Sequence, residues 1–400
     1  MGSVTFRELE ANPIYERAPL PGTTSTLAAR INLISQFQEI TMNKLCLTKL
    51  RLWRAALIPA AMILTSAIAV QAQSARSPLV ITSTNNASGN AVVVFKLNTE
   101  GTPSLDLAQT LATGGNGGAS TNAGIVQFKG DLGAVANYGS NTVTQLLRDS
   151  DAITIGSTIA LAAECTKPDS VALTRGHLFV VGANCAESHS WPRGFVDGPV
   201  VRLSDTSAAQ IAVGQSWAAV TFSSGSLLQL PLTHQSGVLN GTRTPIPLSS
   251  NANMVPLGAA FWGNVLGFTP AHSPDSFAIV DENGEVNPVV GPTPSYPANA
   301  PCWVAKGAGN IWYTGNSPGL AISIFFSDSQ GGVFYKSVSL PGSPSDIAVS
   351  PDGNWLAVIY GASGNAYVAV FSIDSYGDLT QVATSSAPGV AAFSGVAFSE

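Results

Sequence analysis

After residue 78, the hydrophobic positions of the chain form short runs or alternate with polar positions, and Gly/Pro-rich turns separate the runs. This pattern is typical of half-buried β-strands, whereas an amphipathic helix needs apolar residues three or four positions apart. It predicts an all-β fold built from a recurring phrase: an apolar strand, a turn of two to four residues and a second apolar strand. The phrase begins at Ala123, Ser170, Trp217, Gly258, Trp303, Asp346 and Gly395.

Successive phrases start 41 to 49 residues apart. A repeat of ~40–50 residues is characteristic of a β-propeller with four strands per blade. The last phrase, "SGVAFSE" at 394–400, supplies only a first strand, and "LVITST" from Leu79 reads as its continuation. We therefore predict a seven-bladed β-propeller over residues 79–400, with the ring closed by both chain ends in one blade. A pair of β-sandwiches is the alternative, but it would not explain the split phrase.

Residues 42–72 have the pattern of a secretory signal peptide: a basic region, an apolar run over 55–70, and small residues at Val70 and Ala72 before the cleavage point. The alternative, a transmembrane anchor, needs ~20 apolar residues, and this run has 16. We predict a mature chain that starts near Gln73 and is secreted or periplasmic. Residues 1–41 are interpreted as an over-extended start before Met42, with a cytoplasmic extension as the alternative.

Charge excludes some partners. Charged residues make up 10% of the chain, against ~25% in average soluble proteins. No basic patch is present, which argues against nucleic acid as a partner. Residues 73–400 carry 11 basic and 20 acidic residues, and this acidic excess argues against a membrane partner after signal cleavage.

Two stretches of the first blades, "NAVVVFKLNTEGTPSLDLAQTLATGG" (90–115) and "LGAVANYGSNTVTQL" (132–146), resemble the seven-bladed lactonase-like propellers. That family includes 6-phosphogluconolactonase and the carboxymuconate-cyclising enzymes. The step Asn137-Tyr138-Gly139 is the most specific part, and the likeness covers residues 90–148 and 340–400. The resemblance implies a seven-bladed propeller and lactone chemistry. However, the family's histidine before the strand "GIVQF" is absent here, so its catalytic residues have no matched position.

Two functions follow from this combination. The first is a non-catalytic propeller that binds a small molecule, a glycan or a protein at its funnel mouth. The second is a lactone hydrolase or cyclase related to 6-phosphogluconolactonase. No cofactor is predicted. No metal site is predicted either, because the four histidines are scattered along the sequence without ligand spacing.

The widest insertion, residues 184–200, contains aromatic and charged side chains that could grip a ligand by stacking and by charge-assisted hydrogen bonds. We predict that it follows the second strand of its blade and lies at the funnel mouth. Each residue taken singly could instead be structural. The candidate ligand-binding residues are His189, Trp191, Arg193 and Asp197 in this insertion, with Trp217, Trp303, Asp169 and Asp346 around the same mouth.

Cys165 and Cys185 are predicted to form a disulfide. They lie ten residues on either side of Arg175, the centre of the hairpin "CTKPDSVALTRGHLFVVGANC". Mirror positions of an antiparallel hairpin face each other, and an exported chain favours oxidation. The alternative is two reduced, buried thiols. Cys302 is predicted to stay free.

Overall fold

The computed structural model describes residues 76–119, 123–248, 255–271, 277–289, 300–328 and 331–399. The predicted start segment (1–41) and signal peptide (42–72) lie outside these residues. Within the described part, no helix is long and apolar enough to cross a membrane.

The described residues form β-strands and one short 3₁₀ helix, Tyr138–Ser140. The strands in the first half of the chain are β1 (Leu79–Ser83), β2 (Ala91–Asn98), β3 (Ser104–Ala112), β4 (Val126–Lys129), β5 (Leu132–Asn137), β6 (Thr142–Asp149), β7 (Ala152–Ala160), β8 (Pro168–Leu173), β9 (His177–Gly182), β10 (Cys185–Ser190), β11 (Val201–Arg202), β12 (Ala208–Val213), β13 (Trp217–Phe222), β14 (Leu227–Pro231) and β15 (Thr244–Pro245). The strands in the second half are β16 (Pro256–Trp262), β17 (Val265–Pro270), β18 (Phe277–Val280), β19 (Val286–Val289), β20 (Pro301–Lys306), β21 (Ile311–Asn316), β22 (Ala321–Asp328), β23 (Gly331–Ser339), β24 (Ser343–Val349), β25 (Trp355–Ala362), β26 (Asn365–Ile373), β27 (Leu379–Ser386) and β28 (Ser394–Ser399).

These strands form seven four-stranded antiparallel sheets, which confirms the predicted seven-bladed β-propeller. Blade 1 has the strand order β28-β1-β2-β3, and the other six blades each take four consecutive strands, from β4–β7 in blade 2 to β24–β27 in blade 7. The seven inner strands contact one another in sequence around the ring. They are β28, β4, β8, β12, β16, β20 and β24.

Ring closure by both chain ends is confirmed as well. The last strand, β28, pairs antiparallel with β1, so that Phe398 lies opposite Val80. Thr82 Oγ1 adds a hydrogen bond of 2.6 Å to the Gly395 carbonyl. The buried guanidinium of Arg148 in blade 2 donates to the carbonyls of Ser399 and Ser77, and therefore holds both chain ends at once.

The blades are held together by apolar side chains that pack face to face between neighbouring sheets. Between blades 7 and 1, for example, Phe95 and Phe398 share one buried cluster with Ile359 and Val370. A central blade strand is covered on both faces, so its residues read as a near-continuous apolar run rather than a strict alternation. This explains the short, unbroken apolar runs in the sequence.

Six of the seven inner strands shift register near their first residues, where a β-bulge inserts one unpaired residue. We call the end where the inner strands begin the entry end, and the end where they turn into the second strands the turn end. The bulged residue of β28 is Gly395, with φ +74°. A Cβ there would lie 2.8 Å from Val126 N, so only glycine fits against blade 2.

The predicted disulfide is confirmed: Cys165 and Cys185 are bonded, with their Cα atoms 5.5 Å apart. Their positions continue the pairing of Pro168 with Gly182 in the β8–β9 hairpin. Cys165 lies in the segment that leads into blade 3, and Cys185 begins β10. Cys302 is free, as predicted.

Candidate functional site

A cavity of about 280 Å³ lies on the propeller axis, and all seven inner strands contribute to its wall. At the turn end the wall includes Lys306 and Pro351, and towards the entry end it begins at Gly124 and Asp346. Small side chains leave this space open, because an alanine facing the axis reaches only one carbon into it. The alanines of the wall are Ala172, Ala212, Ala259, Ala260, Ala305, Ala348 and Ala397.

Asp346 is the acidic residue of the cavity wall, and its carboxylate joins three blades. One oxygen accepts the N–H of Ile347 in its own blade at 2.9 Å, and the other accepts the N–H of Val396 in blade 1 at 3.1 Å. The N–H of Gly124 in blade 2 also donates to this carboxylate. Burial raises the pKa of Asp346 to about 7, although the three amide donors act in the opposite direction.

Two further polar side chains connect inner strands at the same level. Ser170 Oγ accepts the Ile211 N–H of blade 4 at 3.3 Å and donates to the Gly124 carbonyl of blade 2 at 3.4 Å. Gln210 Oε1 accepts the Ala259 N–H of blade 5 at 2.6 Å. We call Ser170, Gln210 and Asp346 the polar belt. The belt ties the blades together where the bulges leave backbone groups without a ladder partner.

Lys306 provides a positive charge at the turn end of the cavity. Its Nζ donates to the carbonyls of Gly307 at 2.8 Å and Gly309 at 2.6 Å. The same ammonium group lies 5.2 Å from the ring centroid of Trp262 and 5.3 Å from that of Trp312, both cation–π distances. Burial lowers the pKa of Lys306 to about 8. Trp262 is 42% exposed, so an aromatic surface lies beside the Lys306 ammonium group at this end.

Three of the predicted ligand-binding residues lie on inner strands. Asp346 belongs to the polar belt, and Asp169 is the buried bulge residue of β8. Trp303 is also buried, and its Nε1 donates to the Pro344 carbonyl of blade 7 at 2.9 Å and to Ser317 Oγ at 3.1 Å. The indole of Trp303 therefore joins blade 6 to blade 7.

The phrase pattern predicts that Trp217 begins an inner strand, and this prediction is wrong. It begins β13, the second strand of blade 4, and is buried at the turn end with Nε1 bonded to the Asn264 carbonyl. The inner strand of that blade is β12, "AAQIAV". Strand–turn–strand phrases starting at β12 and at β13 have the same apolar pattern, so the sequence did not distinguish the two assignments.

The insertion at 184–200 follows the second strand, β9, as predicted, but it is not the loop that connects the second and third strands. It forms the third strand, β10, and then the loop to β11, which lies at the turn end: the Trp191 N–H bonds the carbonyl of Gly176 in the β8–β9 turn. The second and third strands are connected by a tight turn of two residues, Ala183 and Asn184, so no long loop lies between them.

The four candidate residues of this insertion separate into two pairs. His189 and Trp191 are buried between blades 2 and 3, where Trp191 packs in the apolar core. In the loop, Arg193 is exposed and Asp197 is half-buried, and Asp197 Oδ2 lies 3.5 Å from His177 Nε2. The eight predicted residues therefore do not converge on one mouth, and a ligand-binding role for any of them stays a prediction.

The sequence interpretation missed Lys306, Trp262 and Gln210. Lys306 and Trp262 are the last residues of inner strands β20 and β16, immediately before a turn. That position was the available signal, because the final residues of four inner strands line the axial cavity: Leu173, Val213, Lys306 and Val349.

The most specific motif of the resemblance, Asn137-Tyr138-Gly139, has a structural role. Asn137 is fully buried, and its side-chain oxygen accepts from Thr113 Oγ1 at 2.8 Å and Asn90 Nδ2 at 3.1 Å. Its Nδ2 donates to Thr144 Oγ1 at 2.8 Å. This network fixes the turns of blades 1 and 2 against each other, which accounts for a motif without catalytic groups.

The resemblance is confirmed at the level of the fold, because the seven-bladed β-propeller is similar to solved structures that include a gluconolactonase. A Lactobacillus plantarum protein of solved structure aligns with a TM-score of 0.63 at 15% identity, covering 82% of this chain and 100% of that one. The periplasmic gluconolactonase of Pseudomonas aeruginosa aligns with a TM-score of 0.60 at 16% identity, covering 81% and 99%. A candidate 6-phosphogluconolactonase from Bacteroides fragilis gives 0.58 at 11%, covering 82% and 99%. No protein-family model and no curated protein matches the chain.

Proposed function

We propose that the protein binds a small organic molecule in the axial cavity and admits it from the turn end. The observation that supports this best is the hydrogen bonding of the two charged side chains in the described part of the cavity wall. Asp346 is bonded to three backbone amides and Lys306 to two backbone carbonyls. These groups are held rigidly in a wall of alanines, which suits positioning a ligand better than transferring protons.

The chemistry of the turn end indicates which ligands fit. The ammonium group of Lys306 has three protons and gives two to backbone carbonyls. The third remains for a ligand oxygen, and the exposed face of Trp262 can stack on a sugar ring or another flat apolar surface. The volume of about 280 Å³ is near the lower limit of ~300 Å³ for ligand pockets. We therefore propose a ligand of monosaccharide size that carries a carboxylate or other anionic group.

Lactone hydrolysis is the second candidate function. It is supported by the carboxyl of Asp346, which borders the cavity and has a pKa raised to about 7 by burial. A carboxyl with such a pKa can act as a general base near neutral pH. The three amide donors compete with this role, because they occupy the lone pairs that would accept a proton.

Substitution of Lys306 by Met is expected to weaken binding of anionic ligands by about tenfold or more, since a charge-assisted hydrogen bond contributes ~1.5–3 kcal/mol. Neutral ligands should keep their affinity, because Met preserves the apolar stem. The measurement is calorimetry and thermal shift with a panel of aldonates, neutral monosaccharides and sugar lactones, together with an assay for lactone turnover.

The matched control is Lys336→Met. Lys336 lies in the same blade but pairs with Asp378 at 2.7 Å on the outer strand, away from the axis. This control should bind the whole panel like the unmodified protein. An equal loss in both variants, or no binding of any panel member, would contradict the proposed site. Lactone turnover that disappears in Asp346→Asn would favour hydrolysis over binding alone.

We further propose that the chain is exported with cleavage after Ala72. Support comes from the signal pattern at 42–72 and from the Cys165–Cys185 disulfide, which is typical of oxidising compartments. Expression with native residues 42–400 in a bacterial host should yield periplasmic or secreted protein whose first residue is Gln73. N-terminal sequencing decides the matter: a chain that retains residues 55–70 would refute cleavage.

A further inference from the structure

A second cluster of reactive side chains lies between blades 2 and 3, away from the axial cavity. Cys185, Glu187 and His189 alternate along β10 and therefore face the same side of the blade. Cys165 meets them from the segment before β8. The two Sγ atoms and a carboxylate oxygen of Glu187 lie within 4.8 Å of one another, and all three residues are buried.

Glu187 is an unusual acid. It is fully buried, and burying a carboxylate is costly unless a cation or several donors compensate for the charge. Among the described contacts, its oxygens accept the Ala162 N–H at 3.1 Å, and Oε1 lies 2.8 Å from His189 Nε2. No lysine or arginine in the described part of the chain forms an ion pair with it. The imidazole in turn places Nδ1 2.9 Å from the Gly194 carbonyl, which fixes the ring.

The three ligand-type groups lie close enough together to reach the spacing of a metal site once the disulfide is reduced. In tetrahedral zinc sites the metal lies ~2.3 Å from sulfur and ~2.0–2.2 Å from a carboxylate oxygen, which puts neighbouring ligand atoms about 3.5–4 Å apart. Small rotations of side chains already within 4.8 Å of one another reach this separation. A ligating carboxylate also needs a hydrogen-bonding partner behind it, and His189 occupies that position.

We propose that the reduced form of the chain binds one zinc-type divalent cation through Cys165, Cys185 and Glu187, with His189 orienting the carboxylate and water as the fourth ligand. A dithiol reductant gives two electrons and two protons to the Cys165–Cys185 bond and becomes a disulfide itself. Each cysteine thiol then loses its proton to solvent as its sulfur bonds the metal. The same four residues thus support two alternative closures of the blade interface, a disulfide when oxidised and a metal dithiolate when reduced.

The position of Cys165 gives access to both states. It is buried, but its neighbours Glu164 and Thr166 are exposed. A local opening of this short connection exposes the disulfide to a reductant and the cluster to a metal ion without unfolding a blade.

The test uses a Cys46→Ser, Cys302→Ser variant, in which Cys165 and Cys185 are the remaining cysteines. The protein is reduced with dithiothreitol, desalted without oxygen and titrated with Co²⁺. We expect one ion per chain, near-ultraviolet thiolate-to-cobalt bands, visible bands of tetrahedral Co²⁺, and two protons released per ion. Zn²⁺ should remove the bands by displacing Co²⁺. The oxidised protein should show none of this.

Two substitutions separate the proposed site from a simple pair of thiols. Glu187→Gln keeps the shape and a hydrogen-bonding oxygen but is expected to weaken Co²⁺ binding at least about tenfold. Glu164→Gln, on the exposed connection, should leave it unchanged. Should reduction itself unfold the chain, added Zn²⁺ is expected to restore the cooperative melt. Absence of thiolate bands in folded reduced protein, failure of Zn²⁺ to restore the fold, or unchanged affinity in Glu187→Gln would each overturn the proposal.

Discussion

Deletion of residues 394–400 is expected to lower the free energy of unfolding by several kcal/mol, which is a large part of the ~5–15 kcal/mol typical of a folded domain. The deletion removes β28, the inner strand of blade 1, whose residues are all buried. Val396 and Phe398 alone bury side chains that contribute ~1.5–3 kcal/mol each. The loss also exposes the inner edge of β1 and removes the wall that β4 and β24 pack against. Chemical denaturation with a fluorescence or circular dichroism readout measures the change.

The control truncation removes Glu400 alone and leaves β28 intact, so it should melt like the full chain. Arg148→Met tests the same closure without shortening the chain, because the guanidinium is the group that bonds Ser399 and Ser77 together. Its removal leaves the buried carbonyl of Ser399 and the half-buried carbonyl of Ser77 without this donor, and a buried unpaired polar group costs ~1–3 kcal/mol. If the truncated chain and the full chain unfold at the same denaturant concentration, the ends do not close the ring.

The propeller was predictable because the strand–turn–strand pattern that defines a blade is repeated along the sequence. Each blade carries the same phrase, and a split phrase at the two chain ends has few explanations other than shared closure. Where the assignment failed, in blade 4, the cause was local: the first and second strands of that blade have equally apolar sequences, and a one-strand shift leaves the pattern intact. The disulfide was predictable for a related reason, since mirror positions of a hairpin depend only on the turn.

The axial cavity was much less predictable, because its wall takes only a few residues from each of seven inner strands that are distant in sequence. Polar groups at the axis, such as Gln210, lie within ordinary apolar runs of the sequence. Their contacts with a neighbouring blade depend on a β-bulge, which the sequence pattern does not show. The aromatic and charged composition of the insertion at 184–200 predicted a ligand-binding loop at the funnel mouth. Its charged and aromatic residues instead divide between a buried blade interface and the turn end, because a strand of six residues, β10, occupies its first half.

Asp346→Asn is expected to remove a pH dependence of stability that the unmodified protein shows. Asp346 has a pKa of about 7 in the folded chain and 3.8 as its ordinary value, so the folded form binds the extra proton between these limits. Its stabilising contribution is complete below pH 3.8 and is lost as the pH rises through 7. For such a shift, the free energy of unfolding should fall by about 2 kcal/mol between about pH 5.5 and 8.5.

Asparagine is uncharged, like the protonated acid, so Asp346→Asn should give a flatter profile than the unmodified protein. Ile347 and Val396 donate to different oxygens of Asp346, and the single oxygen of asparagine replaces one of these acceptors, so the variant should also be less stable at low pH. The difference between the two profiles isolates the contribution of Asp346 from that of every other titratable group. Asp346→Ala leaves three buried amides without an acceptor and should lose about 3 kcal/mol or more at every pH. Urea denaturation across the pH series compares both variants with the unmodified protein. Parallel profiles for Asp346→Asn and the unmodified protein would mean that the carboxylate stays ionised, with its three amide donors outweighing the cost of burial.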